Sequence, residues 1–254
     1  MGMIGRMAEV RVAEQAGLGA DGRARPSEDV VVVLPSAVIL LDGATSATHP
    51  AGQYAVALAA QLAGRLTAAP EVGLADHLAG AIRAVARHHG FTPGDSPSST
   101  VALARWDESA VEALVLADSP VVAFHPDGGH TVVADTRLRD LRPVTAEQVA
   151  GLRNRPGGFW VAEALPGAAR EAVQARWDRA EVTDLIMASD GVSCGVDDYG
   201  VLTWPSILDT VRAAGPFAVL DAVRSAEESD PDARRWPRSK RHDDQAMVWV
   251  DLSG

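Results

Sequence analysis

The stretch Ala37-Val38-Ile39-Leu40-Leu41-Asp42-Gly43 decides how this 254-residue chain is read, and Asp184-Leu185-Ile186-Met187-Ala188-Ser189-Asp190-Gly191 repeats its design. Each is a short apolar run of strand-forming residues closing on an acid followed by glycine, the pattern of a buried strand that delivers a carboxylate at its C-terminal end. Ala113-Leu114-Val115-Leu116-Ala117-Asp118-Ser119 delivers a third acid in the same way. Upstream of the first stretch, Ser27-Glu28-Asp29 opens the run Val30-Val31-Val32-Val33, and Leu34-Pro35-Ser36 turns the chain back. If the two runs pair antiparallel, the start of one lies beside the end of the other, which predicts that Asp29 and Asp42 meet at one end of a sheet.

The rest of the chain supplies further strands and helix pairs. Residues 8–12 alternate weakly, as an edge strand does. Tyr54, Leu58 and Leu62 mark a helix over 52–66, and Leu74, Leu78, Ile82 and Val85 mark another over 74–89, with Gly90 as its C-terminal cap. His88 and His89 fall in its last turn, where cations favour the helix dipole. Strand patterns over 100–106, 113–118, 121–125 and 131–134, joined by tight turns such as Pro126-Asp127-Gly128-Gly129, predict an antiparallel meander. Residues 146–153 and 167–177 read as helical, and Pro205 and Pro216 each stand where a helix begins. Asp243-Asp244 opens a last strand over 246–250. The economical reading is a single α+β domain over 1–254, with acids at one end of its sheets and helix pairs outside.

Composition narrows the function classes. A hydrophobic content of 47% with 22% charged residues is ordinary for a globular protein. A net charge of -11 disfavours general nucleic-acid binding, which needs a basic surface. The longest apolar runs fall short of the ~20 residues of a membrane span, and residues 1–6 lack the apolar core of a secretory signal. A single cysteine, Cys194, excludes an internal disulfide framework and fits a reducing compartment. The expectation is a cytoplasmic monomer with neither nucleic-acid nor membrane partners.

Asp29, Asp42, Asp118, Asp190 and Asp243 all fall at strand termini. Packed together without compensation, such carboxylates would raise one another's pKa or repel, and a cation resolves the conflict. A ligand set made only of oxygen selects magnesium or manganese over zinc or copper. Glycine after Asp42 lets the backbone approach closely, so that its carbonyl can add a ligand. Two such ions would activate water for in-line attack on phosphorus. Any one Asp-Gly after a strand can simply make a turn; five acids of this kind favour a shared ion site.

Taken in order, Glu28-Asp29, Asp42-Gly43, Ser98-Ser99-Thr100, Ala117-Asp118-Ser119, Ser189-Asp190-Gly191 and Asp243-Asp244 resemble the motifs of the PPM-type (protein phosphatase 2C) family of metal-dependent serine/threonine phosphatases. The resemblance spans nearly the whole chain and implies an antiparallel β-sandwich flanked by two pairs of helices, in four layers. It implies manganese or magnesium, two ions and in bacterial-type members a third, and a metal-bridging hydroxide that hydrolyses phosphoserine or phosphothreonine on a protein substrate. By the same resemblance Asp42 bridges two metals, Gly43 adds a carbonyl, and Asp190 and Asp243 complete the first metal's shell. Glu28 and Asp29 form the acidic pair near the second metal, and Asp118 with Asp190 holds the third. Arg25 or Arg23 takes the place of the arginine that binds substrate phosphate.

The sequence departs from the family at three points. The glycine-rich, histidine-containing stretch after Asp-Gly is here Ala44-Thr45-Ser46-Ala47-Thr48-His49, so no histidine is assigned as general acid and His49 is a candidate. The usual Gly-Asp-Ser-Arg reads Ala117-Asp118-Ser119-Pro120, and a usual threonine near the last strand is Ala246. The cationic run over 234–242 either holds a phosphorylated substrate or serves as counter-charge to the acids. Cys194 has acids rather than a phosphate-cradling arginine loop after it, so it reads as a packing residue. Ser98-Ser99-Thr100 reads as strand entry, with no histidine-acid pair to activate a nucleophile. The alternative to an enzyme is a catalytically weak phosphatase-like regulatory module that binds a phosphoprotein.

Overall fold

A computed structural model describes residues 8–19, 22–44, 51–141, 146–238 and 240–253. The chain enters through β1 (Glu9–Gln15) and then folds the expected hairpin from β2 (Asp29–Leu34) and β3 (Ala37–Ala44), whose antiparallel register sets Asp29 opposite Asp42. β3 is covered on both faces, which is why its sequence lacks polar alternation. Ile39 and Leu41 face a helical layer, whereas Val38 and Leu40 face a second sheet.

The helical layer is α1 (Ala51–Ala68) and α2 (Leu74–His89). Leu58 and Leu62 of α1 and Leu78 and Ile82 of α2 share one fully buried cluster with Ile39 and Leu41, each such side chain contributing about 2 kcal/mol of burial. Gly90 ends α2 in the left-handed conformation, φ 72°, as the sequence predicts. The same sheet is completed by β4 (Ser98–Ser99), β5 (Val101–Trp106) and β6 (Ala110–Leu116), in the order β2-β3-β5-β6, with β4 continuing alongside the end of β3.

The expected meander does not continue from there. After β6 the chain crosses over through residues 117–120, and β7 (Val121–Phe124) and β8 (His130–Val133) belong to the opposite sheet. Tight turns specify antiparallel neighbours but do not say which of two stacked sheets receives the next strand. The short helices α3 (Arg137–Asp140) and α4 (Ala146–Leu152) follow.

Residues 167–177, expected to be helical, form a single 3-10 turn at Pro166–Glu171 and then the edge strand β9 (Val173–Asp178) along β6. The alanine-rich composition favours helix, but β6 presents an open edge whose backbone groups need partners, and along β9 Ala175 and Trp177 pack inward.

β10 (Asp184–Ala188), α5 (Asp190–Asp197), α6 (Trp204–Ala214), α7 (Phe217–Ser229) and β11 (Gln245–Asp251) complete the chain. The second sheet runs β1-β11-β10-β7-β8, so β1 is an edge strand as expected. Alternation along β11 divides two cores: Ala246, Val248 and Val250 face the first sheet, while Met247 and Trp249 meet Ile207, Val211 and Leu220 of α6 and α7. The result is an α+β sandwich with a helical layer outside each antiparallel sheet. Among the described residues no helix is long and apolar enough to cross a membrane.

Candidate metal centre

Both sheets bring their acids to the same end of the sandwich. Asp42 stands near the end of β3 and Asp29 opposite it at the start of β2. Asp190 opens α5 directly after β10, Asp243 precedes β11, and Asp118 lies in the segment where the chain changes sheets. Their charges act on one another. The carboxyl of Asp42 is held well above the usual carboxylate range, first by burial and then by the charges of Asp29, Asp190, Asp118 and Asp243. Asp29 is pushed up to about 8, chiefly by burial, with Asp190 and Asp244 adding to the effect and Ser189 and Asp42 moderating it. Asp190 is pushed up to about 7 by burial and by Asp118 and Asp243, with Asp42 and Lys240 opposing.

Several hydrogen bonds fix this arrangement. Ser99 Oγ and the Thr100 N–H both donate to the Asp42 carbonyl at 2.9 Å, and the Asp42 N–H donates to Thr100 Oγ1 at 3.1 Å. Thr100 Oγ1 also meets the Ser119 hydroxyl at 2.7 Å, tying the Asp42 strand to the Asp118 loop across the two sheets. Ala117, just before Asp118, adopts φ 68°, where a side chain is disfavoured. Its methyl packs against Phe159 and Val161, which offsets that cost. On the other sheet, Ser189 exchanges backbone and side-chain bonds with Ala246 at 2.9 Å, joining the end of β10 to the start of β11.

Two glycines permit the close approach. A Cβ on Gly191 would stand 1.9 Å from the Asp244 carbonyl oxygen, so only glycine fits between α5 and the entry to β11. A Cβ on Gly43 would sit about 3 Å from the Ala51 backbone, and the Gly43 N–H donates to the Glu28 carbonyl at 3.0 Å.

Asp244, which the sequence marks only as the neighbour of Asp243, is a buried anchor. Its carboxylate accepts the Gly17 N–H at 2.7 Å and the Glu28 N–H at 3.2 Å, and lies 3.9 Å from Arg25. Glu28 is thereby held beside the acids, and Arg25 is drawn toward them. The buried Nε and Nη2 of Arg25 make no hydrogen bond. Arg23 sits farther out, exposed on the same loop. His49 and the rest of 45–50 lie outside the described residues.

Behind the acids, Glu227 of α7 receives His242 Nδ1 at 2.7 Å and the Tyr199 hydroxyl at 3.1 Å, while Arg224 donates to the Asp243 carbonyl and to Gln245. In the cationic run, Arg238 is bound to Asp230 and Lys240 to Asp243. These contacts realise the counter-charge reading of that run, and three-residue spacing to Asp243 was the available signal for Lys240. Cys194, on α5, has its thiol pushed up by burial and by the charge of Asp190, as a packing residue would. A cleft of about 850 Å³ opens beside the acids, lined by Asp118, Asp190, Lys240 and Asp243 together with Leu138 and Tyr199.

Whether these residues suit a metal is decided by their chemistry. Among the described residues no three acidic, histidine or cysteine side chains are already closed around a common point. Both oxygens of Asp29 are nevertheless buried without a hydrogen-bond partner, and Asp42 is crowded by four other acids. Buried carboxylates in that condition suit hard divalent cations, so the donor set fits magnesium or manganese.

The fold is that of the PPM-type serine/threonine phosphatases. The serine/threonine phosphatase PstP/Ppp of Mycobacterium tuberculosis is similar to this chain with a TM-score of 0.63 at 17% identity, covering 98% of this chain and 100% of its own. The catalytic domain of the serine threonine protein phosphatase PstP in complex with 2 manganese ions gives a TM-score of 0.58 at 16% identity, covering 96% and 98%. PppA, a key regulatory component of T6SS in Pseudomonas aeruginosa, gives 0.61 at 16%, covering 97% and 98%. No family model matches the sequence, and no curated protein matches it.

Proposed function

We propose that the chain is a single catalytic domain that hydrolyses phosphoserine or phosphothreonine on proteins with manganese or magnesium. The observation that carries this reading is the convergence of Asp29, Asp42, Asp118, Asp190 and Asp243 from two sheets onto one half-buried, mutually repelling group beside an open cleft. The likeness to a phosphatase domain in complex with 2 manganese ions supports it.

Asp42, Asp190 and Asp243, with the Gly43 carbonyl, would hold one ion, and Asp42 with Glu28 and Asp29 the other; Asp118 and Asp190 offer a third position. Bound divalent ions supply an acidified water and neutralise charge on the phosphoryl group. The protein's own contributions are positional. Thr100 and Ser99 fix the Asp42 backbone, and Asp244 holds Glu28 and Arg25 at the rim. Arg25 has guanidinium N–H groups that make no hydrogen bond within the protein and could donate charge-assisted hydrogen bonds to a phosphate. The apolar stretch of the cleft at Leu138 and Tyr199 offers a surface for the residues next to the phosphorylated side chain.

The test is hydrolysis of p-nitrophenyl phosphate and of a phosphothreonine peptide, with and without manganese. Asp42→Ala and Asp190→Asn are expected to abolish manganese-dependent turnover. Wild-type protein that binds manganese without turnover would refute the enzyme and favour the regulatory module.

A further inference from the structure

The acid cluster includes a cation of the chain's own. Lys240, three residues before Asp243, turns its ammonium directly onto Asp243 Oδ1, the oxygen that also accepts the Asp244 N–H at 2.9 Å. The loop around it is pinned on both sides. Arg238 donates to Asp230 at 3.1 Å and to the Glu227 carbonyl at 3.0 Å, and His242 is bonded to Glu227 at 2.7 Å. Lys240 is thus delivered to the acids by its setting.

A divalent ion on the Asp243 carboxylate would stand beside this ammonium, and two cations so placed repel. We propose that Lys240 is a resident counter-ion of the cluster that competes with a divalent ion for Asp243. Its side chain is suited to this. It is 29% exposed, borders the cleft, and moves on a flexible four-carbon stem. Lys240 therefore offsets the repulsion among the acids and weakens a divalent ion held through Asp243.

This inference rests on the acids being a metal centre. The experiment is a manganese titration by calorimetry, with free manganese followed by electron paramagnetic resonance, on wild type, Lys240→Met and Lys240→Arg at pH 7.5. Thermal melts in EDTA accompany it. Lys240→Met is expected to bind manganese at least tenfold more tightly and to melt lower than wild type in EDTA. Lys240→Arg, which keeps the charge, is expected to stay within about threefold of wild type in affinity. Lys240→Gln replaces the methionine variant if that one does not fold. Equal or weaker binding by a folded neutral variant would overturn the counter-ion while leaving the metal centre standing. Absence of manganese binding in every variant and wild type would overturn both.

Discussion

Replacing Asp29 by asparagine should stabilise the metal-free protein at alkaline pH, although the change strikes a buried residue. Asp29 is only 6% exposed, and neither of its oxygens has a hydrogen-bond partner. Its pKa is raised from 3.8 to about 8. A group whose folded pKa is raised contributes stability that is fully present below the unfolded value and is lost as pH climbs through the folded one. For Asp29 that window runs from about pH 4 to about pH 8. Roughly four pH units at about 1.4 kcal/mol each set a ceiling of about 6 kcal/mol on the cost of keeping this charge. Asp42 and Asp190 relax when one neighbour is neutralised, so the recoverable share is smaller, and we expect about 2 kcal/mol for Asp29→Asn at pH 8 in EDTA. In a chain of 254 residues this is about 5 °C in melting temperature. At pH 5, near the lower end of that window, most of the difference is absent, and the two proteins should melt close together. Manganese should reverse the order at pH 8 by stabilising wild type more than the variant. Melts of both proteins at pH 5 and pH 8, with EDTA or manganese, read all four conditions. A variant that is less stable at pH 8 in EDTA, or one whose effect does not change with pH, would refute the description of Asp29 as an uncompensated buried acid.

Two further outcomes follow from the geometry. Gly191→Ala should cost 3 kcal/mol or more, on the order of an overpacked core, because its Cβ would collide with the Asp244 carbonyl at 1.9 Å; a denaturant titration reads it, and a loss of manganese affinity should accompany it. Arg25→Ala should raise KM for a phosphothreonine peptide about tenfold with a smaller change in kcat, as expected for loss of a charge-assisted phosphate contact. An unchanged KM in steady-state assays would remove Arg25 from substrate binding and leave it as a partner of Asp244.

Much of this architecture is written locally. The hairpin of β2 and β3, and with it the pairing of Asp29 with Asp42, follows from two apolar runs around a short turn. α1, α2, α6 and α7 follow from apolar spacing and from glycine or proline at their ends. The residues at 167–177 misled, because their alanine-rich composition describes a free segment, whereas β6 needed a partner along its edge. Thr100 looked like a strand entry and is one, yet its hydroxyl also bridges Asp42 and Ser119. No local pattern encodes that bridge, since its partners lie 58 and 19 residues away.

By itself, then, the sequence determined that acids close several buried strands and that oxygen ligands favour a hard divalent ion, because periodicity and side-chain chemistry are properties of neighbouring residues. Only the tertiary structure decided that the chain changes sheets around Asp118, that Asp244 anchors Glu28 and Arg25, and that Lys240 reaches Asp243. Those outcomes depend on how two sheets stack and which loop ends meet, and the energy that selects them comes from contacts between residues far apart in the chain.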